Sequence, residues 1–303
     1  MPPPPVTLLP VECLSSRARI LRCGSIVDTF ALVTDRYLVL VDTMVSEDTM
    51  LAGVRLLGED GLLDRPLLVL NTHGDWDHVC GNGVFCRPEA AYPAPVIGSQ
   101  VAGDLMLSPE SSKYLEELKT KHPGEFDSAH IWPPMIRFEG SLTIDCGDLS
   151  IEFIPTPGHR PGHYAIWVPE LRLLFAGDAA ASPLPLIDDP EALPELRASL
   201  QRMLGLEPEV VLCCHAPGRL DAGVIRENIA YFDELERRCR AFLEAGGQAD
   251  REDLAAALDW TLEEAVSAEA LSLSQQPEEG FYESAHEMAI RTTLEWLQTS
   301  PAR

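Results

Sequence analysis

Apolar residues fall along this chain in two rhythms. Residues 25–34 and 37–41 are β-rich runs on either side of Asp35-Arg36, which predicts a hairpin. From 47 to 58, Met50, Leu51, Val54 and Leu57 recur at helical spacing. Leu67–Leu70 is a continuous apolar run behind Pro66, as a strand buried on both faces shows. Further strands are predicted at 142–146 and 149–154, around a Gly147-Asp148 turn, and at 164–168, 171–175 and 210–213, with a helix over 190–204. From 221 the rhythm is helical: Ile225, Ile229, Phe232, Leu235, Cys239 and Phe242 make one stripe that Gly246-Gly247 ends. Asp250, with Asp253 three residues on, reads as an acidic capping arrangement that starts another helix. A last helix is expected over 281–298, with Met288, Ala289, Leu294 and Leu297 inward.

Residues 99–135 differ: they are polar, hold a helical stretch over 110–121 and close on Trp132-Pro133-Pro134. They are expected to be a surface insertion acting as a lid. The organisation expected is a catalytic domain over 1–245, carrying that insertion, and a small helical appendage over 246–303.

Composition narrows the class. Of 303 residues, 46% are hydrophobic and 23% charged, an ordinary globular mix that needs no disulfide help and excludes disorder and collagen-like repeats. The apolar runs are short and broken, so no membrane span and no membrane partner is expected. The formal net charge of −25 repels polyanions, and Lys and Arg gather only at Arg237, Arg238 and Arg240 among acids, so no nucleic-acid partner is expected. Eight cysteines in mostly apolar surroundings, with no CxxC pair, read as reduced thiols. The start Met-Pro-Pro-Pro-Pro lacks a basic stretch and an apolar stretch, so the expected location is cytoplasmic. The expected partner is a small-molecule substrate; association into a homo-oligomer stays open.

Candidate chemistry gathers where strands end, which is where ligands bind in α/β sheets. His73, His78, His159 and His215 each follow a predicted strand, and Asp75, Asp77 and Asp178 accompany them. These nitrogen and oxygen donors suit a two-metal site. His122, His130 and His286 belong to no motif and are expected to be surface or lid histidines.

Those segments resemble one family. Thr72-His73-Gly74-Asp75-Trp76-Asp77-His78 is similar to the Thr-His-x-His-x-Asp-His signature of the metallo-β-lactamase superfamily. Thr156-Pro157-Gly158-His159-Arg160-Pro161-Gly162-His163 resembles its Thr-Pro-Gly-His-Thr-x-Gly-His loop, Phe175-Ala176-Gly177-Asp178 its bridging-aspartate strand, and Cys214-His215-Ala216-Pro217-Gly218 its final ligand loop. The resemblance implies an α/β four-layer αββα sandwich. It implies two divalent metal ions, with zinc the first expectation: one held by His73, Asp75 and His159, the other by Asp77, His78 and His215, with Asp178 bridging. His163 would orient the ligand loop from behind.

The implied activity is glyoxalase II-like: hydrolysis of a small ester, thioester or lactone by a water activated on the metals, with Asp77 as its hydrogen-bond partner. An iron-dependent oxidoreductase and a phosphodiesterase of the same superfamily remain alternatives. Asp75 departs from the pattern, which has His there. Three readings stay open: Asp75 binds zinc, it shifts preference toward iron or manganese, or it weakens the first site.

Overall fold

The computed structural model describes residues 2–274 and 279–299, so parts of the 246–303 segment lie outside the described residues. The chain forms two compact units, Met1–Pro155 with Pro161–Leu171, and Thr156–Arg160 with Arg172–Arg303.

The first unit is built on a seven-stranded sheet whose order follows the sequence. Strands β1 (Val6–Pro10), β2 (Ala18–Cys23), β3 (Val27–Val33) and β4 (Leu38–Val41) pair antiparallel. The β3–β4 hairpin turns at Asp35-Arg36 as expected. Strands β5 (Leu67–Leu70), β6 (Val96–Ser99) and β7 (Ile136–Phe138) continue it in parallel with β4. Every residue of β4 is buried, and all but the first of β5, which is why both read as unbroken apolar runs. The sequence pattern did not resolve β1, β2, β6 or β7. β1 mixes exposed with half-buried positions, β2 carries arginines between its buried residues, and β7 is three residues long.

Parallel pairing sets Val41 beside Leu70 and Leu70 beside Ile97, so the loops after β4, β5 and β6 leave from one sheet edge. Helix α1 (Glu47–Glu59) starts on a capping box between Ser46 and Thr49. Two one-turn helices, α2 (Trp76–Val79) and α3 (Gly83–Cys86), follow β5. Residues 99–135 hold α4 (Gln100–Met106) and α5 (Pro109–Lys121). Within α5 only Leu115 is buried, in keeping with its polar sequence. Strands β8 (Leu142–Asp145), β9 (Ser150–Pro155) and β10 (Tyr164–Val168) form an antiparallel set in this unit.

The second unit pairs β11 (Leu173–Gly177) with β12 (Val210–Cys213) in parallel. Its helices are α6 (Leu193–Gly205), α7 (Gly223–Glu244), α8 (Leu254–Ala257), α9 (Leu262–Ala265), α10 (Ala268–Leu273) and α11 (Phe281–Thr299). Helix α11 packs on α6, α7, α8 and α9.

Three expectations change here. Asp250 does not start a helix: α8 begins at Leu254, and the Glu287 carboxylate of α11 caps it, accepting from the N–H groups of Leu254 (3.0 Å) and Ala255 (2.9 Å). A partner distant in sequence has replaced the local cap. Met288, expected inward, is 44% exposed beside the buried Ala289. His286 is no surface residue: it is buried between Tyr231, whose hydroxyl lies 2.9 Å from its Nδ1, and the Trp260 carbonyl, 2.9 Å from its Nε2. None of the eight cysteines, all among the described residues, forms a disulfide, and burial pushes the Cys23 and Cys80 thiols up to about 12. No helix among the described residues is long and apolar enough to cross a membrane.

Candidate metal centre

The first unit assembles its share of the predicted ligands at the edge where β4 and β5 end. Asp42 leaves β4 in a left-handed conformation (φ 64°), which Asp tolerates better than most residues. Its carboxylate then accepts three hydrogen bonds: Thr72 N–H to Oδ1 (2.8 Å), and Thr72 Oγ1–H (2.8 Å) and His78 Nδ1–H (3.0 Å) to Oδ2. Because the Thr72 hydroxyl gives its hydrogen to Asp42, its lone pair accepts from His73 Nδ1–H at 3.0 Å. Both imidazoles are thereby fixed in the tautomer that puts the lone pair on Nε2.

The rings of His73 and His78 lie 4.2 Å apart, and both side chains are fully buried. His73 Nε2 stands 3.8 Å from Asp75 Oδ2, and His78 Nε2 3.5 Å from Asp77 Oδ2. Two ligands of one tetrahedral ion at 2.0–2.2 Å stand about 3.3–3.6 Å from each other. The separations are at or near that spacing. The one-turn helix α2 is what delivers Asp77 and His78 together after the loop carrying His73 and Asp75. His163 is buried in the same unit, its ring 4.9 Å from that of His73, and the neighbouring Tyr164 N–H donates to the Thr72 carbonyl (2.8 Å).

The second unit assembles the rest. In the β11–β12 pair the register shifts between Phe175 and Gly177, and Gly177 adopts φ 54°. This irregularity ends β11 and turns out Asp178 beside Cys214-His215, which follow β12. Asp178 Oδ2 lies 3.2 Å from His215 Nε2 and 3.6 Å from His159 Nε2. His159 donates Nδ1–H to the Leu186 carbonyl (3.2 Å), again leaving the lone pair on Nε2. Its loop is pinned to α6: Ser199 Oγ donates to the Pro157 carbonyl (2.7 Å), and Gly158 approaches so closely that a Cβ there would stand 2.2 Å from Leu196 N. Gly158 also has φ 127°, so both space and conformation require glycine.

Each unit thus brings its own share of the predicted His and Asp donors together, at separations suited to metal ligands. The donor set is imidazole and carboxylate, which suits zinc, iron or manganese. Sequence reasoning did not single out Asp42, which fixes His78 directly and His73 through Thr72. Its signal was present: a buried strand running straight into Asp, as β11 runs into Asp178. The Leu186 carbonyl behind His159 left no such signal, because a backbone acceptor has no residue type.

The sequence model described as the metallo-beta-lactamase superfamily matches residues 24–215. No curated protein matches significantly. Among solved structures, the chain is similar to a metallo-beta-lactamase family protein from Thermus thermophilus, with 20% identity, TM-score 0.62, and coverage of 97% of this chain and 92% of that one. A beta-lactamase domain protein from Burkholderia ambifaria gives 17% identity, TM-score 0.66 and coverage of 96% and 90%. The stereoselective inverting sec-alkylsulfatase Pisa1 from Pseudomonas sp. gives 15% identity and TM-score 0.63; 96% of this chain matches 50% of that one. At these identities the likeness is one of fold, and the fold is the αββα sandwich that the motifs implied.

Proposed function

The chain belongs to the metallo-β-lactamase superfamily, and on that premise we propose that it is a metal-dependent hydrolase of a small ester, thioester or lactone. The proposed ligands are His73, Asp75 and His159 for one divalent ion and Asp77, His78 and His215 for another, with Asp178 shared; zinc is the first choice of metal. The carrying observation is the orientation of His73, His78 and His159. Each is held through Nδ1 so that Nε2 carries the lone pair, and each Nε2 faces a carboxylate at or near ligand spacing.

Bound divalent ions supply Lewis acidity and bring a water's pKa from 15.7 toward about 7. The chain's own residues do the rest. Asp42 holds His78 and, through Thr72, His73, so no ring has to reorient on binding. Asp77, partly open to solvent, would offer one carboxylate oxygen as a ligand and the other as a hydrogen-bond acceptor for the attacking water. Asp75 in place of imidazole adds one negative charge, which favours retention of a cation. The partner in this reading is a small molecule, with neither nucleic acid nor membrane, and the location is cytoplasmic.

The test is turnover by zinc-loaded protein of a panel of carboxylic esters, thioesters, lactones, a phosphodiester and a secondary alkyl sulfate. The sulfate is included because of the likeness to the alkylsulfatase. The expected result is turnover of acyl substrates that chelation abolishes. Turnover confined to the phosphodiester or the sulfate, or untouched by chelation, overturns the proposal.

A further inference from the structure

Large apolar side chains stand in solvent beside the candidate ligand loops, and the reaction proposed above gives them no role. Helix α4 shows this most clearly. At about 100° per residue, Ala102, Gly103 and Met106 sweep its buried arc. Gln100 and Asp104 form a polar arc, joined to each other (2.8 Å) and, through Asp104, to Arg137 (3.1 Å). Val101 and Leu105 remain as a ridge, about 40° apart, and they are 45% and 42% exposed.

The ridge lies on the side of the ligand loops. A Cβ on Gly162, next to His163, would stand 2.8 Å from Val101 Cβ. A Cβ on Gly74, between His73 and Asp75, would stand 3.0 Å from the Ala102 carbonyl oxygen and 3.1 Å from Met106 Cγ. Gly103, at the opposite edge of the buried arc, backs onto Arg137 instead, at 2.8 Å by the same measure. Helix α5 is tied to the end of this helix, where Ser111 Oγ donates to the Leu105 carbonyl (2.8 Å), and Tyr114, one turn along α5 from Ser111, is exposed.

Resting on the hydrolase reading, we propose that Val101 and Leu105 form the wall of the acyl subsite, and that the substrate's acyl group is an apolar carbon chain of medium length. Ligand sites pair an apolar lining with a few placed polar groups, and this ridge supplies the lining next to the ligands. A second copy of the chain is a poorer occupant. A stable protein interface buries on the order of 1,000 Å² or more, whereas this ridge is two side chains on a seven-residue helix, flanked by an ion pair.

The experiment uses zinc-loaded protein and p-nitrophenyl esters from acetate to decanoate. kcat/KM is expected to rise about two- to three-fold per methylene up to medium length, mainly through KM, below the roughly four-fold that complete burial of a methylene gives. Leu105→Asp and Val101→Asp flatten that slope with metal content unchanged, and Leu105→Met keeps it. A second readout needs no turnover: octanoate slows hydrogen exchange over residues 100–107 and acetate does not. If no ester is hydrolysed and octanoate still protects α4, the hydrolase reading fails and the apolar subsite stands. Hydrolysis without chain-length dependence, together with no protection by octanoate, overturns the subsite and leaves the hydrolase reading intact. A change of oligomeric mass in Leu105→Asp with an unchanged slope also overturns it.

Discussion

The molecule buries histidines in two different ways. His286 spends both ring nitrogens on the fold: Nε2–H donates to the Trp260 carbonyl and Nδ1 accepts from the Tyr231 hydroxyl. Tyr231 stacks on Trp260 at 5.6 Å, and the Arg238 guanidinium lies 5.1 Å over the same indole, so the cluster is a closed aromatic core. His73, His78 and His159 commit Nδ1 to an acceptor behind the ring and turn Nε2 toward a carboxylate. Burial is nearly the same in both sets. What separates a packing histidine from a candidate ligand is where its second nitrogen points.

Removing ligands should separate the two sets most sharply. His159→Ala and Asp178→Ala are expected to lose most bound zinc and to lower turnover by about a hundred-fold or more, since each deletes a donor from a proposed site. Elemental analysis after dialysis reads this directly, and full metal retention in both variants would return these residues to a structural role.

Asp42→Asn is a milder break. Asn tolerates the left-handed backbone at this position, so the turn survives. It can offer only one carbonyl oxygen where Asp42 now accepts three bonds, so zinc affinity is expected to fall about ten- to a hundred-fold. Competition with a chelator measures it. An unchanged affinity would mean that His73 and His78 are positioned by packing alone.

The smallest effect belongs to the other set. His286→Gln should leave zinc binding untouched and cost about 1–3 kcal/mol of stability through its buried partners. Burial holds the His286 pKa below its ordinary value of 6.5. Above 6.5 the ring is neutral in both the folded and the unfolded chain, so its contribution is fully present there. As pH falls below 6.5 the unfolded chain gains the proton first, and stability is lost until the lowered folded pKa is reached. Wild-type protein should therefore lose stability more steeply than His286→Gln in that window. Parallel curves from denaturant unfolding at pH 7.5 and 5.5 would contradict it.

Most of the candidate ligands were legible because they follow a buried strand, and such strands announce themselves as apolar runs; His159 instead follows β9, where buried and half-buried positions alternate. Leu67–Leu70 and Val210–Cys213 are examples, each followed by candidate ligand residues within a few positions. Less was legible where distant residues decide. Glu287 caps α8, a backbone carbonyl fixes His159, and two separated residues, Tyr231 and Trp260, enclose His286. A histidine with no motif around it carries no local sign of whether it meets solvent or a tyrosine.

The most direct test is calorimetric titration of zinc into metal-free wild-type protein, with His286→Gln and Asp178→Ala alongside. Wild type and His286→Gln should each saturate at two ions per chain, and Asp178→Ala should fall short. No uptake by the wild type, or a loss in His286→Gln that Asp178→Ala does not share, would contradict the assignment of the two histidine sets.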